Sequence, residues 1–195
     1  MKMIDNFLAV DFANELESYI IGELDKPIWM NGHSYFDAEF GKYLPDKQFP
    51  FIAHMDTKMA NKLIQTLLSQ GILTREPADS EALIYKAYPL SSVEWHTDKH
   101  DEYDKSREWK TQKDKDPAGI SIYLNREWHP DWGGCFLLKD NHSDTHGKFY
   151  EPIFNRAIIN NGRELHSVST INAGSKNRYS VQLFLSRSAL REDLQ

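Results

Sequence analysis

The apolar positions along the chain change period once. In the regular stretches between residues 11 and 75 they recur at helical spacing, and from residue 82 onward they alternate as in strands. Residues 4–10, IDNFLAV, read as a short opening strand. Asp11 then caps a helix that carries Phe12, Leu16, Tyr19, Ile20 and Leu24 on one face. A second helix starts at Asp56 or Thr57, lines up Met59, Leu63, Ile64, Leu67 and Leu68, and stops at Gly71. Between them, Pro27, Gly32, Gly41, Pro45 and Pro50 interrupt any regular pattern among Trp29, Tyr35, Phe36, Phe40 and Tyr43. Irregular or short-stranded structure with a buried aromatic side is expected there.

Seven β-rich runs follow: ALIYKAY, SVEWHTD, GISIYLN, GGCFLLK, RAIINN, HSVSTI and RYSVQLFLS. Turn residues such as Pro89, Pro117, Gly133-Gly134, Gly162 and Gly174 separate them. Two helices ahead of seven or eight strands predict a mainly β fold, a β-sandwich of jelly-roll type with the N-terminal helices packed on one sheet. The last run is two-faced. Tyr179, Val181, Leu183 and Leu185 suit a core, whereas Arg178, Ser180 and Gln182 suit a polar pocket. The whole chain, 1–195, is expected to form one domain, with residues 1–75 as helical support and 82–187 as the jelly-roll core. Residues 99–116, KHDEYDKSREWKTQKDKD, are too polar to bury and are either a solvated loop or a lid over a site.

Composition narrows the functional classes. A formal charge of -6 disfavours a phosphate-rich partner, so a nucleic-acid substrate is not expected. Cys135 is the only cysteine, which leaves no internal disulfide and no two-cysteine metal motif. Asp5 interrupts the first apolar stretch and no run is long enough to span a bilayer, so a cytoplasmic protein without a membrane partner is expected.

The pattern His-x-Asp occurs three times, as His54-Met55-Asp56, His96-Thr97-Asp98 and His142-Ser143-Asp144, so the pattern alone selects nothing. Asp56 is more simply a helix cap, and His142 and Asp144 lie in the polar loop NHSDTHG. His96 and Asp98 instead end a strand run, where residues two apart share a face, and His166 follows on a later strand. Two imidazoles and one carboxylate are the donor set of an open facial iron site. Alone, the trio reads equally well as ordinary strand and turn polarity. Twelve residues beyond His166, Arg178 and Ser180 share the pocket face of an otherwise apolar strand. A 2-oxo diacid chelating iron through its oxo-acid end would leave a distal carboxylate for such an arginine fork and hydroxyl.

Over residues 82–186 the order of these pieces resembles the iron(II)- and 2-oxoglutarate-dependent dioxygenases, of the prolyl-hydroxylase type. Tyr88-Pro89 ahead of His96-Thr97-Asp98 is similar to the family's first-ligand strand, and Ile122-Tyr123-Leu124-Asn125-Arg126-Glu127-Trp128 to its tyrosine strand, with Gly133-Gly134 next. His166-Ser167-Val168 and Arg178-Tyr179-Ser180-Val181 resemble its distal-histidine and cosubstrate strands. The resemblance implies a double-stranded β-helix (cupin-like) core, with His96, Asp98 and His166 as metal ligands. It also implies Arg178, Tyr123, Ser180 and Tyr88 as the cosubstrate pocket. For Tyr123 and Tyr88 a place in the aromatic core is the competing reading. Where some prolyl hydroxylases set a substrate-binding arginine, this chain has Lys115-Asp116-Pro117, so the substrate is not inherited.

The implied cofactors are Fe(II), 2-oxoglutarate and O2, with ascorbate admitted as a reductant. The implied reaction hydroxylates a C–H bond of a prolyl or other amino-acid residue in a peptide, or of a small molecule, releasing succinate and CO2. Asp98 fills the position that related halogenases leave vacant, which favours hydroxylation. The competing readings are a nucleic-acid demethylase on a related barrel and a non-catalytic jelly-roll binding module. Trp29, Tyr35, Trp95, Trp109, Trp128 and Trp132 read as packing residues, and His33, His100, His129 and His146 as surface or structural histidines.

Overall fold

A computed structural model describes residues 1–24, 50–98 and 116–195. Two antiparallel sheets face each other. The larger takes β1 (Lys2–Ile4), β8 (Ala157–Asn160), β5 (Pro117–Tyr123), β10 (Arg178–Ser186), β3 (Ser80–Ala87) and β2 (Phe51–His54), in that order. The smaller takes β4 (Val93–His96), β9 (Leu165–Val168), β6 (Phe136–Lys139) and β7 (Lys148–Tyr150). From β3 onward the chain crosses repeatedly between the two sheets, the jelly-roll arrangement expected from the strand runs and the double-stranded β-helix that the resemblance implies.

Alternation along the strands of the larger sheet sets its two faces. Val181, Leu183 and Leu185 on β10, Ile120 and Ile122 on β5 and Ile84 on β3 all bury against one side. That side is covered by α1 (Val10–Leu24) and α2 (Thr57–Ser69), whose Phe12, Leu16, Ile20, Leu63, Ile64 and Leu67 join the same core. Helix α2 begins where its sequence says it should, with the Asp56 carboxylate accepting from Met59 N at 2.9 Å. It closes with Gly71 N donating to Leu68 O (3.0 Å) and Ile72 N to Leu67 O (2.9 Å).

Several local expectations are corrected. The opening strand is Lys2–Ile4 rather than 4–10, because those residues pair with β8 while 5–9 turn into the helix. Helix α1 starts at Val10, so Asp11 sits in its first turn and is not the cap; there its charge still favours the helix N-terminus. The stretch 1–75, read as helical support, also supplies β1 and β2 to the edges of the larger sheet. Strand β7 carries only three residues, too few for its alternation to register. The 99–116 expectation, apart from Asp116, lies outside the described residues, as do Trp29, His33, Tyr35, His100 and Trp109. Among the described residues, no helix is long and apolar enough to cross a membrane.

Leu183 is wholly buried at the centre of β10, between Ile120 and Ala82. Leu183→Ala should lower the unfolding free energy by about 2–5 kcal/mol, measured by urea titration; a loss below about 1 kcal/mol would contradict the packing described.

Candidate metal centre and its anion pocket

The inner face of the larger sheet, turned toward the smaller one, is polar where the outer face is apolar. Register places Ser180 of β10 between Tyr85 of β3 and Tyr123 of β5, and Gln182 between Leu83 and Ser121. Tyr85, Tyr123, Ser121, Ser180 and Arg178 are all buried there.

At one end of this gap the structure brings together His96, Asp98 and His166, one donor atom of each lying within 4.8 Å of the others. His96 and His166 are direct partners across β4 and β9. That pairing depends on an irregularity: three steps from Val93 to His96 oppose two from Val168 to His166, so one extra residue is accommodated in β4. Without it, Trp95 would stand opposite His166, and the imidazole would point out of the gap. Phe136 stacks on the His166 ring, with centroids 5.2 Å apart and planes 12° apart.

Each imidazole is oriented by its own strand. His96 Nδ1 lies 2.7 Å from Glu94 O and His166 Nδ1 lies 2.8 Å from Glu164 O. A carbonyl oxygen only accepts, so each Nδ1 carries the proton and each Nε2 keeps a free lone pair. Both Nε2 atoms face Asp98 Oδ1, at 3.8 Å for His96 and 3.5 Å for His166. Asp98 Oδ2 is buried without a hydrogen-bond partner. Burial and the neighbouring His166 charge hold the His96 imidazole below its usual range. Burial pulls His166 in the same direction, but hydrogen bonding and the charge of Asp98, aided by Glu164 O, outweigh it and raise the proton affinity. Two Nε2 lone pairs and one carboxylate oxygen converging on one spot, with a second carboxylate oxygen left unsatisfied, suit a divalent cation.

Arg178 starts β10 at the other end of the gap and is only 3% exposed. Its Nη1 donates to Gly134 O at 2.6 Å, its Nε has no partner, and its guanidinium lies 5.6 Å from the Tyr123 ring centre. Among the described residues no carboxylate pairs with it. Burial accordingly pushes the guanidinium down from its usual proton affinity, and pushes the Tyr123 phenol up to about 12. An unpaired buried cation with a free donor is a receptor for an anionic ligand group. The Gly133-Gly134 turn makes this contact available. Both residues have positive φ (69° and 67°), and a Cβ on Gly133 would run into the Thr170 carbonyl oxygen.

Tyr88 is not brought into this pocket. It is 37% exposed and its ring sits 5.6 Å from Lys86 Nζ. The pocket tyrosine is Tyr85, three residues earlier and 6% exposed, which sequence reasoning missed. Burial raises its phenol well above the usual range, with the charges of Asp98 and Glu81 adding to the shift and Arg178 opposing it. Its ring thus stands within electrostatic reach of both ends of the gap. A signal was present: Tyr88 shares strand parity with Ile84, whereas Tyr85 is in phase with the polar face. The other two His-x-Asp triplets are accounted for locally. Asp56 caps α2, and Asp144 Oδ2 accepts from Asn141 N at 3.0 Å in a loop.

A family profile described as the 2OG-Fe(II) oxygenase superfamily matches residues 83–186. Among solved structures, a prolyl-4-hydroxylase from Pseudomonas putida is 16% identical with a TM-score of 0.66, over 95% of this chain and 91% of that one. A Trichoplax adhaerens prolyl hydroxylase, solved with a peptide fragment of the hypoxia inducible factor oxygen degradation domain, is 19% identical with a TM-score of 0.65, over 95% and 82%. A viral collagen prolyl hydroxylase from Paramecium Bursaria Chlorella virus-1, in its 2OG complex, is 14% identical with a TM-score of 0.57, over 95% of each chain. No curated protein sequence matches the chain.

Arg178→Met should change the stability of the ligand-free protein by less than about 1 kcal/mol in urea, since relief of burying an unpaired charge offsets the lost bond to Gly134. A loss of about 3–5 kcal/mol would mean that the guanidinium is paired within the fold.

Proposed function

Because the chain belongs to the 2OG-Fe(II) oxygenase superfamily, we propose that it is a hydroxylase acting on a prolyl or other amino-acid residue of a peptide, with His96, Asp98 and His166 as its iron ligands. The observation that carries this reading is the unsatisfied pair at the two ends of one gap: Asp98 Oδ2 beside two free imidazole lone pairs, and Arg178 Nε without an anion. Iron(II) held by these three residues would, with 2-oxoglutarate and oxygen, supply the oxidation of a substrate C–H to C–OH, coupled to conversion of the cosubstrate to succinate and CO2.

The chain's own part is to bind, orient and exclude water. His96 and His166 would each offer Nε2, held in that tautomer by Glu94 O and Glu164 O. Arg178 would take the distal carboxylate of 2-oxoglutarate, with the buried Tyr123 phenol and Ser180 hydroxyl beside it. Tyr85, between those groups and Asp98, would close the pocket's flank. Phe136, Leu138 and Ile158 form a buried apolar cluster with Tyr123, which keeps this end of the gap dry and strengthens every charge contact inside it. The peptide reading is supported by the likeness to prolyl hydroxylases, one of them solved with a peptide fragment.

Anaerobic addition of Fe(II) and 2-oxoglutarate should produce the weak visible band of the chelate, and His96→Ala or Asp98→Ala should abolish it. Folded protein without the band would sink the proposal. Peptides containing proline, screened by succinate release, should identify a substrate class. Binding of Mn(II), a redox-silent probe, should weaken as the pH falls through the ordinary imidazole range, the weakening setting in above that range because His166 must give up a proton that Asp98 holds unusually firmly. Affinity independent of pH across that interval would contradict the assignment of His166.

A further inference from the structure

Asp98 uses its two oxygens unequally. Oδ1 faces both imidazoles, whereas Oδ2 lies beside Gly119 of the larger sheet and is buried with no hydrogen-bond partner. Gly119 of β5 and Asn160 of β8, two strands that carry no triad member, lie near Oδ2. Gly119 of β5 pairs with Asn160 of β8, and both belong to the inner face. A Cβ built on Gly119 would lie 3.3 Å from Asp98 Oδ2, 3.1 Å from Asn160 Nδ2 and 3.3 Å from Asn160 Oδ1. The space that glycine leaves open is therefore shared by the idle carboxylate oxygen and the Asn160 amide.

The orientation of that amide is set by the turn after β8. Asn160 Oδ1 accepts from Gly162 N at 2.7 Å, and Nδ2 is the amide atom nearer the Cβ position of Gly119, at 3.1 Å. Asn160 is 4% exposed, and among the described residues its Nδ2 makes no hydrogen bond. An unpartnered buried carboxylate oxygen and the amide of a buried asparagine thus flank one point that lacks a side chain. Deeply buried asparagine is uncommon at a strand end, and the turn alone requires only its oxygen.

We propose that Asn160 is a positioning residue for Asp98. Its amide nitrogen holds Oδ2, directly or through one water in the space over Gly119, so that Oδ1 is presented to the metal between the two imidazoles. Residue 119 must then be glycine to leave room for that contact, and this rests on the metal reading of the triad given above. Hydrogen bonds to a ligating carboxylate fix its orientation, and their loss weakens metal affinity about 10–100-fold.

Two variants test this through metal affinity. Asn160→Ser keeps an oxygen for Gly162 N, and so keeps the turn, but has no amide to reach Asp98. Gly119→Ala keeps both side chains but crowds the space between them with a methyl. Each should weaken Mn(II) binding, measured by calorimetry, about tenfold or more. Each should also shift the visible band of the anaerobic Fe(II) and 2-oxoglutarate complex, with the unfolding temperature of the metal-free protein unchanged. Wild-type affinity and band position in either variant overturn the proposal. If Asn160→Ser proves unstable, Gly119→Ala decides the matter by the same criteria. Failure of the unmodified protein to bind Mn(II) would overturn the metal reading itself, an outcome distinguishable because it precedes any substitution.

Discussion

Val181, Leu183 and Leu185 leave solvent completely on one face of β10, and Arg178 and Ser180, one residue out of phase, are almost as deeply buried on the other. With helices over one side of the larger sheet and the smaller sheet over the other, this strand has no solvent face on which to put its polar residues. The alternation therefore commits the chain to two interiors at once, an apolar one against the helices and a polar one against the smaller sheet. Pairing extends the same division to the neighbours: Tyr85 and Tyr123 stand beside Ser180, while Ile84 and Ile122 stand beside Val181. A slip of one residue in either register would send Arg178 into the apolar core and a leucine into the pocket, which makes the register strongly specified.

The polar interior is incomplete as a piece of protein. Among the described residues Arg178 brings a charge with no carboxylate to meet it, and Asp98 keeps an oxygen with no hydrogen-bond partner. Buried polar groups are normally satisfied, and each exception costs folding free energy that the apolar half of the sandwich has to supply. Both exceptions lie in the one gap, at opposite ends, with Tyr85 within electrostatic range of each. That is the layout of a site built around a cation and an anion that arrive from outside.

How much of this was legible differs from residue to residue. The seven strand runs and α2, with its Asp56 cap, were readable because each depends on local chemistry: alternation, turn residues, a side chain bonding a backbone N–H two or three positions on. Three-residue strands were read less well: β7 was missed and β1 misplaced, because three residues are too few for alternation to register, and the partner that sets the bounds of β1 lies far along the chain. The three His-x-Asp triplets show the same division. Nothing inside the triplets distinguishes them; Asp56 turns out to serve a helix, Asp144 a loop, and Asp98 alone meets a distant histidine.

Amino-acid order by itself determined the period of each segment, the two-faced character of β10 and the presence of ligand-type residues in a known order, because these are properties of neighbours along the chain. Only the tertiary structure decided which of them meet. The extra residue in β4 turns His96 rather than Trp95 toward His166. The parity of β3 carries Tyr85 into the pocket and leaves Tyr88 outside. The pairing of β5 with β8 sets Gly119 and Asn160 against Asp98. Each is a matter of register between strands remote in sequence, and register is fixed by the burial of whole faces rather than by any residue alone.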